Sequence, residues 1–231
     1  MFASSVPPET LMIHQDLAMF ILPSLGCRSF TGWMCEQVLP DELQDAAWAR
    51  QQSFLAGRYC AAQAMRQLGV SSGQLLRRLN DRRVDWPETV VGSISHSGDL
   101  ALAVVGLASQ WRAVGADIQT VMSEPRALLV CKRVMSEDEL TLIKSGVFGQ
   151  SFAESVTRLF SIKETVYKLL YGVAERYMPF SAVSLLSFDA PYATLRLNVD
   201  WGVGWVAGST LSVLAYPYDD SVLSLAVLPK T

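Results

Sequence analysis

The sequence predicts an α+β protein made of two similar halves, and three observations carry that prediction. Residues 152–171 space their apolar side chains at the 3.6-residue period of a helix, and residues 41–68 read as a second long helix from its N-cap at Asp41 and its stop at Gly69. Short strand-like segments bounded by turn residues follow each of them, as in Val91–Val105 and Thr210–Val227. The layout of long helix and then paired strands thus occurs twice, as two pseudo-symmetric subdomains meeting near residue 110 would produce it. The expected division is 1–110 and 111–231.

Half of the 231 residues are hydrophobic and 18% are charged, which describes a globular chain able to bury a sizeable core. The net charge of −3 argues against a dedicated nucleic-acid binder, which is usually basic. Cys27, Cys35, Cys60 and Cys131 form no CxxC pair and no metal-ligand spacing, so reduced thiols in a cytoplasmic protein are expected. Ser24-Leu-Gly-Cys27 faintly resembles a lipid-attachment site, but no Lys or Arg precedes Arg28, and Glu9 and Asp16 are acidic where a signal needs positive charge. No apolar run approaches the roughly 18 residues of a membrane span. No membrane insertion is expected.

The elements follow in order. Strands are expected over 12–22 and 29–38. A helix opens at Asp41, a good N-cap, and runs to Leu68 with a possible break at Gly57. Arg50, Phe54 and Arg58 share one face of it, which puts the two arginines about 12 Å apart along the axis. That spacing suits two separate anionic groups, although solvated surface arginines are the commoner use. Residues 71–89 read as loop. Strands Val90–Ser95 and Leu100–Leu107 meet at a turn over Ser97-Gly98-Asp99, with Ser95 and His96 at its entrance among small residues that leave room for a ligand. Ala113–Gln119 alternates, with Gly115, Asp117 and Gln119 on one face, so Asp117 needs a cation, a hydrogen-bonding partner or a metal. Short helices are expected over 124–131 and 136–145, the second opened by a Ser136/Glu139 capping box. After the helix over 152–171, strands are expected over 181–188, 193–199, 203–208, 210–216 and 221–228.

The stretch from Arg158 to Leu170 is the centre of the chain. Val156, Leu159, Phe160, Val166, Tyr167 and Leu170 form its apolar stripe, which Lys163 interrupts. Glu164 and Lys168 lie one helical turn apart. By themselves these charges read as a surface ion pair beside a lysine that snorkels past the core. Set beside Asp117, Arg50, Arg58 and His96, they read differently. Two carboxylates among several cations are what Mg²⁺ chemistry on a phosphate substrate requires. Gly202-Val-Gly204 copies a dinucleotide fingerprint in letters only, since no helix follows it, and nothing in the spacing supports a Ser/His/Asp triad.

Gly115-Ala-Asp117 and Phe160-Ser-Ile-Lys163-Glu164-Thr-Val-Tyr-Lys168 are the motifs of a known family. With Arg50, Phe54-Leu-Ala-Gly57-Arg58, Arg82, Trp86-Pro87 and Gly92-Ser-Ile-Ser-His96-Ser in order, the chain resembles the phosphopantetheinyl transferases of the larger, monomeric type, in the branch of the enterobactin-synthase D component. The resemblance runs from about residue 39 to 172. It implies two pseudo-symmetric α+β halves that clasp coenzyme A in the cleft between them. A serine of an acyl or peptidyl carrier protein would attack the β-phosphate and release 3′,5′-ADP. It also implies residue roles. Asp117 and Glu164 would hold Mg²⁺, with Gln119 as a further ligand, and Glu164, directly or through a water on the metal, would help deprotonate the serine. Lys168 and Lys163 would face the pyrophosphate, and Arg50, Arg58, Arg82, Ser95 and His96 would hold the nucleotide and its 3′-phosphate.

Two positions depart from the family pattern. Many relatives carry Glu where this chain has Gln119, whose amide oxygen can ligate a metal but brings no charge, and the usual Pro is here Val84. The expectation is an Mg²⁺-dependent transferase serving siderophore, nonribosomal peptide or polyketide synthesis. The alternatives are an Mg²⁺-dependent nuclease, disfavoured by the net charge, and a non-catalytic carrier-binding relative.

Overall fold

The computed structural model describes residues 10–71, 83–174, 176–202 and 204–230. Two compact units divide it: one runs as far as Val114 and takes in the C-terminal residues from Pro229, and the other covers Gly115–Leu228.

In the first unit, β1 (Thr10–His14) and β2 (Leu17–Leu22) form a hairpin, so the strand expected over 12–22 folds back on itself at Gln15 and Asp16. With β3 (Val90–Ser97) and β4 (Leu100–Leu107) they build an antiparallel sheet in the order β1-β2-β4-β3. The strand expected over 29–38 is instead helix α1 (Arg28–Cys35). Three residues apart, Phe30 and Trp33 would point to opposite faces of a strand. On a helix they share a face, and both rings lie against Tyr59 with centroids 5.6 and 5.5 Å away. Tertiary packing of aromatic surface decides the local conformation here.

The helix expected over 41–68 is two helices, α2 (Asp41–Gln44) and α3 (Trp48–Gln67). Gln51 Nε2 stabilises the break by reaching the carbonyls of Leu43, Gln44 and Ala46 at 3.0, 2.9 and 3.0 Å. Asp41 is the first residue of α2, with Pro40 in the cap position. No break occurs at Gly57. α3 packs across β2, β3 and β4 and covers the core of this unit.

The second unit begins inside β5 (Trp111–Thr120), at Gly115. Helices α4 (Glu124–Val134), α5 (Glu137–Lys144) and α6 (Phe152–Ala174) follow. After a 3₁₀ turn at Phe180–Ala182 come strands β6 (Val183–Asp189), β7 (Tyr192–Leu197), β8 (Thr210–Tyr218) and β9 (Ser221–Pro229), in a sheet ordered β5-β9-β8-β7-β6. The capping box forms as expected: Glu139 N–H donates to Ser136 Oγ at 3.2 Å, and Ser136 N–H donates to Glu139 Oε2 at 2.9 Å. The strand expected over 203–208 does not form among its described residues. Gly202 and Gly204 adopt positive φ angles of 78° and 84°, and Trp201 N–H closes a turn onto the Trp205 carbonyl at 2.8 Å.

Each unit therefore sets one long helix on a largely antiparallel sheet, the α+β arrangement the sequence predicts. α6 is buried on nearly every side: Ser155, Thr157, Ser161 and Thr165 are as enclosed as Leu159 and Val166. Among the described residues, no helix is long and apolar enough to cross a membrane.

Candidate active site

The site begins with a glycine. A Cβ on Gly115 would press into the Thr165 carbonyl oxygen and stand 2.7 Å from Leu169 Cβ, so a side chain there would push β5 away from α6. Side chains alternate along a strand, and the residue two places on faces the same helix. That residue is Asp117. It is 5% exposed, and an isolated buried carboxylate would cost several kcal/mol. Lys168 answers it from α6, with Nζ donating to Asp117 Oδ1 at 2.7 Å and to the Ala116 carbonyl at 3.2 Å.

Glu164 lies one helical turn before Lys168. Burial raises its pKa above the ordinary glutamate value; the Lys168 charge pulls it down and the Asp117 charge pushes it up again. Asp117, Glu164 and Lys168 are therefore within electrostatic reach of one another, and two carboxylates face one ammonium. Such a donor set fits a hard divalent cation. Magnesium takes one or two protein carboxylates and completes its shell with water and substrate oxygens. Among the described residues there is no group of three or more His, Cys, Asp or Glu side chains that could hold a metal by themselves, so the rest of the shell would come from such oxygens. Gln119 is half-buried and follows Asp117 on the same strand face; its Nε2 donates to the Thr120 carbonyl at 3.3 Å.

Lys163 points elsewhere than Lys168. Its ammonium does not accompany that of Lys168 but is buried, with the residue 2% exposed. It donates to Glu139 Oε2 at 2.7 Å, to the Val134 carbonyl at 2.8 Å and to the Phe180 carbonyl at 3.3 Å. Those three bonds use its three donors. Burial lowers its pKa, partly offset by Glu139. Glu139 announces itself in the sequence only as the N3 residue of a capping box, and no spacing links it to Lys163.

Beside Glu164 lies a pocket of about 90 Å³, lined mainly by Tyr167, Tyr177, Met178, Phe180, Val183 and Trp201, with Lys163 in its wall. The sequence reading missed this lining, because its residues come from α6, the segment after it, β6 and the turn at Trp201. Trp201 is buried, and its indole N–H has no hydrogen-bond partner among the described residues.

The remaining candidates belong to the first unit. Arg50 is exposed in the first turn of α3. Arg58, two turns on, is buried, and its guanidinium carbon sits 3.8 Å above the centre of the Phe54 ring, so part of its role is packing. Ser95 is buried and His96 exposed, as the pleat of β3 requires of neighbours in a strand. The Trp86-Pro87 and Gly92 motifs belong together physically: a Cβ on Gly92 would stand 2.7 Å from the Trp86 ring. Arg82 lies outside the described residues.

Comparison with known proteins bears on this geometry. Residues 39–106 match the model of the 4′-phosphopantetheinyl transferase N-terminal domain, and residues 113–216 match that of the 4′-phosphopantetheinyl transferase superfamily. Enterobactin synthase component D of Salmonella typhimurium is 30% identical over 186 residues, which cover 80% of this chain and 75% of that protein. The chain belongs to the 4′-phosphopantetheinyl transferase superfamily. Two further relatives are similar to this transferase. The 4′-phosphopantetheinyl transferase Svp of Streptomyces mobaraensis is 29% identical over 194 residues, 77% of each chain. The 4′-phosphopantetheinyl transferase PptT of Mycobacterium tuberculosis is 28% identical over 133 residues, 57% of this chain and 56% of its own. The two motifs that build the acidic pair, Gly115-Ala-Asp117 and Lys163-Glu164 with Lys168, both fall within the superfamily match.

Proposed function

We propose that this transferase moves the 4′-phosphopantetheinyl group of coenzyme A onto a serine of an acyl or peptidyl carrier protein, as an Mg²⁺-dependent cytoplasmic monomer of the holo-carrier-protein synthase type. The observation that carries the reading is the convergence of Asp117, Glu164 and Lys168 from β5 and α6.

In the step proposed, the serine Oγ bonds to the β-phosphorus of coenzyme A. The bond from that phosphorus to the bridging oxygen breaks, and 3′,5′-ADP leaves with the electron pair. Glu164 accepts the serine proton. Asp117 and Glu164 would hold Mg²⁺, with the Gln119 amide oxygen as a third protein ligand, and the ion would neutralise charge on the pyrophosphate. Lys168, held by Asp117, supplies a fixed positive charge toward the same oxygens. Arg50, Arg58, Arg82, Ser95 and His96 are assigned to the nucleotide and its 3′-phosphate. The pocket beside Glu164 suits the pantetheine arm, since it is mostly apolar and Trp201 offers a buried N–H to an amide carbonyl. Similarity to enterobactin synthase component D favours a siderophore or related nonribosomal peptide pathway.

The test is a carrier protein incubated with the enzyme, coenzyme A and Mg²⁺, followed by intact-mass measurement. The carrier is expected to gain one phosphopantetheinyl group, and Glu164→Ala and Asp117→Ala are each expected to abolish the gain while the enzyme stays folded. Near-full transfer by both variants would remove the assignment of the acidic pair.

A further inference from the structure

Glu139 does more than a capping box needs. At the N3 position a surface Glu or Gln suffices to hold the cap, yet Glu139 is 1% exposed. Its Oε2 accepts from Ser136 N–H at 2.9 Å and from Lys163 Nζ at 2.7 Å, and its Oε1 accepts from Leu185 N–H at 2.9 Å. Lys163 extends the network to the Val134 carbonyl at the end of α4 and to the Phe180 carbonyl. One buried ion pair thus ties α4, α5, α6, the 3₁₀ turn and β6 together. Burying such a pair gives little net stability, because the desolvation cost of both charges offsets their attraction. Where it sits is more informative. Phe180 and Val183 line the pocket beside Glu164, and the network grips the backbone at Phe180 and at Leu185, on either side of Val183. Lys163 is itself in the pocket wall and is the residue next to Glu164.

The geometry points to Glu139 as a positioning residue for the transfer reaction: directly at Leu185 and through Lys163 at Phe180, it holds the Phe180–Leu185 wall of the pocket and so sets affinity for the pantetheine arm of coenzyme A without touching the nucleotide. This rests on the assignment of the pocket to that arm.

The test compares KM for coenzyme A with the inhibition constant of 3′,5′-ADP, which lacks the arm. Glu139→Gln keeps one acceptor oxygen, removes the charge opposite Lys163, and sets an amide NH₂ against one of the two backbone N–H groups that Glu139 accepts from. It is expected to raise KM for coenzyme A about tenfold, the lower range for loss of a residue that orients a site, with the 3′,5′-ADP constant unchanged. Equal weakening of both ligands, or no change in either, would overturn the proposal. If Glu139→Gln folds poorly, the double variant Glu139→Gln/Lys163→Met removes the unpaired charge. It is expected to recover the melting temperature but not KM, and recovery of both would count against a positioning role. Tyr177→Ala, at an exposed residue of the pocket lining, separates the two assignments. If it leaves KM for coenzyme A unchanged, the pocket does not take the arm and the proposal falls with that assignment. If it raises KM while Glu139→Gln does not, the positioning role alone is wrong.

Discussion

Glu164 and Lys163 are neighbours on one helix and have opposite fates. Lys163 is turned inward and neutralised by Glu139. Glu164 is largely buried next to a second carboxylate, and one ammonium does not balance the two. The cost of that imbalance has a pH signature. Because the folded-state pKa of Glu164 is raised, folding retains its proton longer than the unfolded chain does. Below the ordinary glutamate value of about 4.3 the group is protonated in both states and contributes nothing. As pH rises through that value and then through the raised folded pKa, the native state loses stability relative to the unfolded one. In EDTA, Glu164→Gln is therefore expected to melt at a higher temperature than the wild type at neutral pH, with the gap closing as pH falls through the raised folded pKa toward about 4.3. Added Mg²⁺ is expected to raise the wild-type melting temperature more than that of the variant. Thermal scans across pH, with and without Mg²⁺, read both effects; a variant no more stable than wild type in EDTA at neutral pH would contradict the assigned shift.

At the scale of the element, the site depends on how closely β5 lies on α6. Asp117 reaches Lys168 because Gly115 has no side chain to hold the strand off the Thr165 carbonyl. Gly115→Ala is expected to destabilise the protein by about 1–3 kcal/mol, the usual cost of overpacking, since the atom it meets is backbone and cannot rotate away. The same displacement separates Asp117 from Lys168, so transfer activity should fall further than stability alone explains. Urea unfolding and initial rates on the folded fraction measure the two losses; an alanine variant with unchanged stability would mean that the contact relaxes freely.

For the whole molecule, the functional assignments fall in both compact units, nucleotide residues before Val114 and acid–base residues after Gly115. Arg50, an exposed arginine in the first unit, tests the first set. Arg50→Ala is expected to weaken coenzyme A and 3′,5′-ADP alike by about tenfold or more, as loss of one charge-assisted hydrogen bond of roughly 1.5–3 kcal/mol would do. Inhibition assays with both ligands check it, and loss of coenzyme A affinity alone would move Arg50 away from the nucleotide. Much of this organisation is legible in the chain itself. The doubled layout predicts α+β architecture, the period of residues 152–171 predicts α6, Ser136 and Glu139 predict a capping box that forms, and alternation in β5 puts Gly115 and Asp117 on one face. These are local regularities, because spacing along a helix or strand determines which side chains share a face. The rest depends on partners distant in sequence. Tyr59 makes residues 28–35 a helix rather than a strand. Gln51 holds the break between α2 and α3. Glu139, from another helix, pairs with Lys163, while Asp117 pairs with Lys168. Periodicity shows that Lys163 interrupts an apolar face, but not which buried acceptor lies opposite it. That depends on how helices and strands pack, and the energy of a buried charge is set by the groups it meets there.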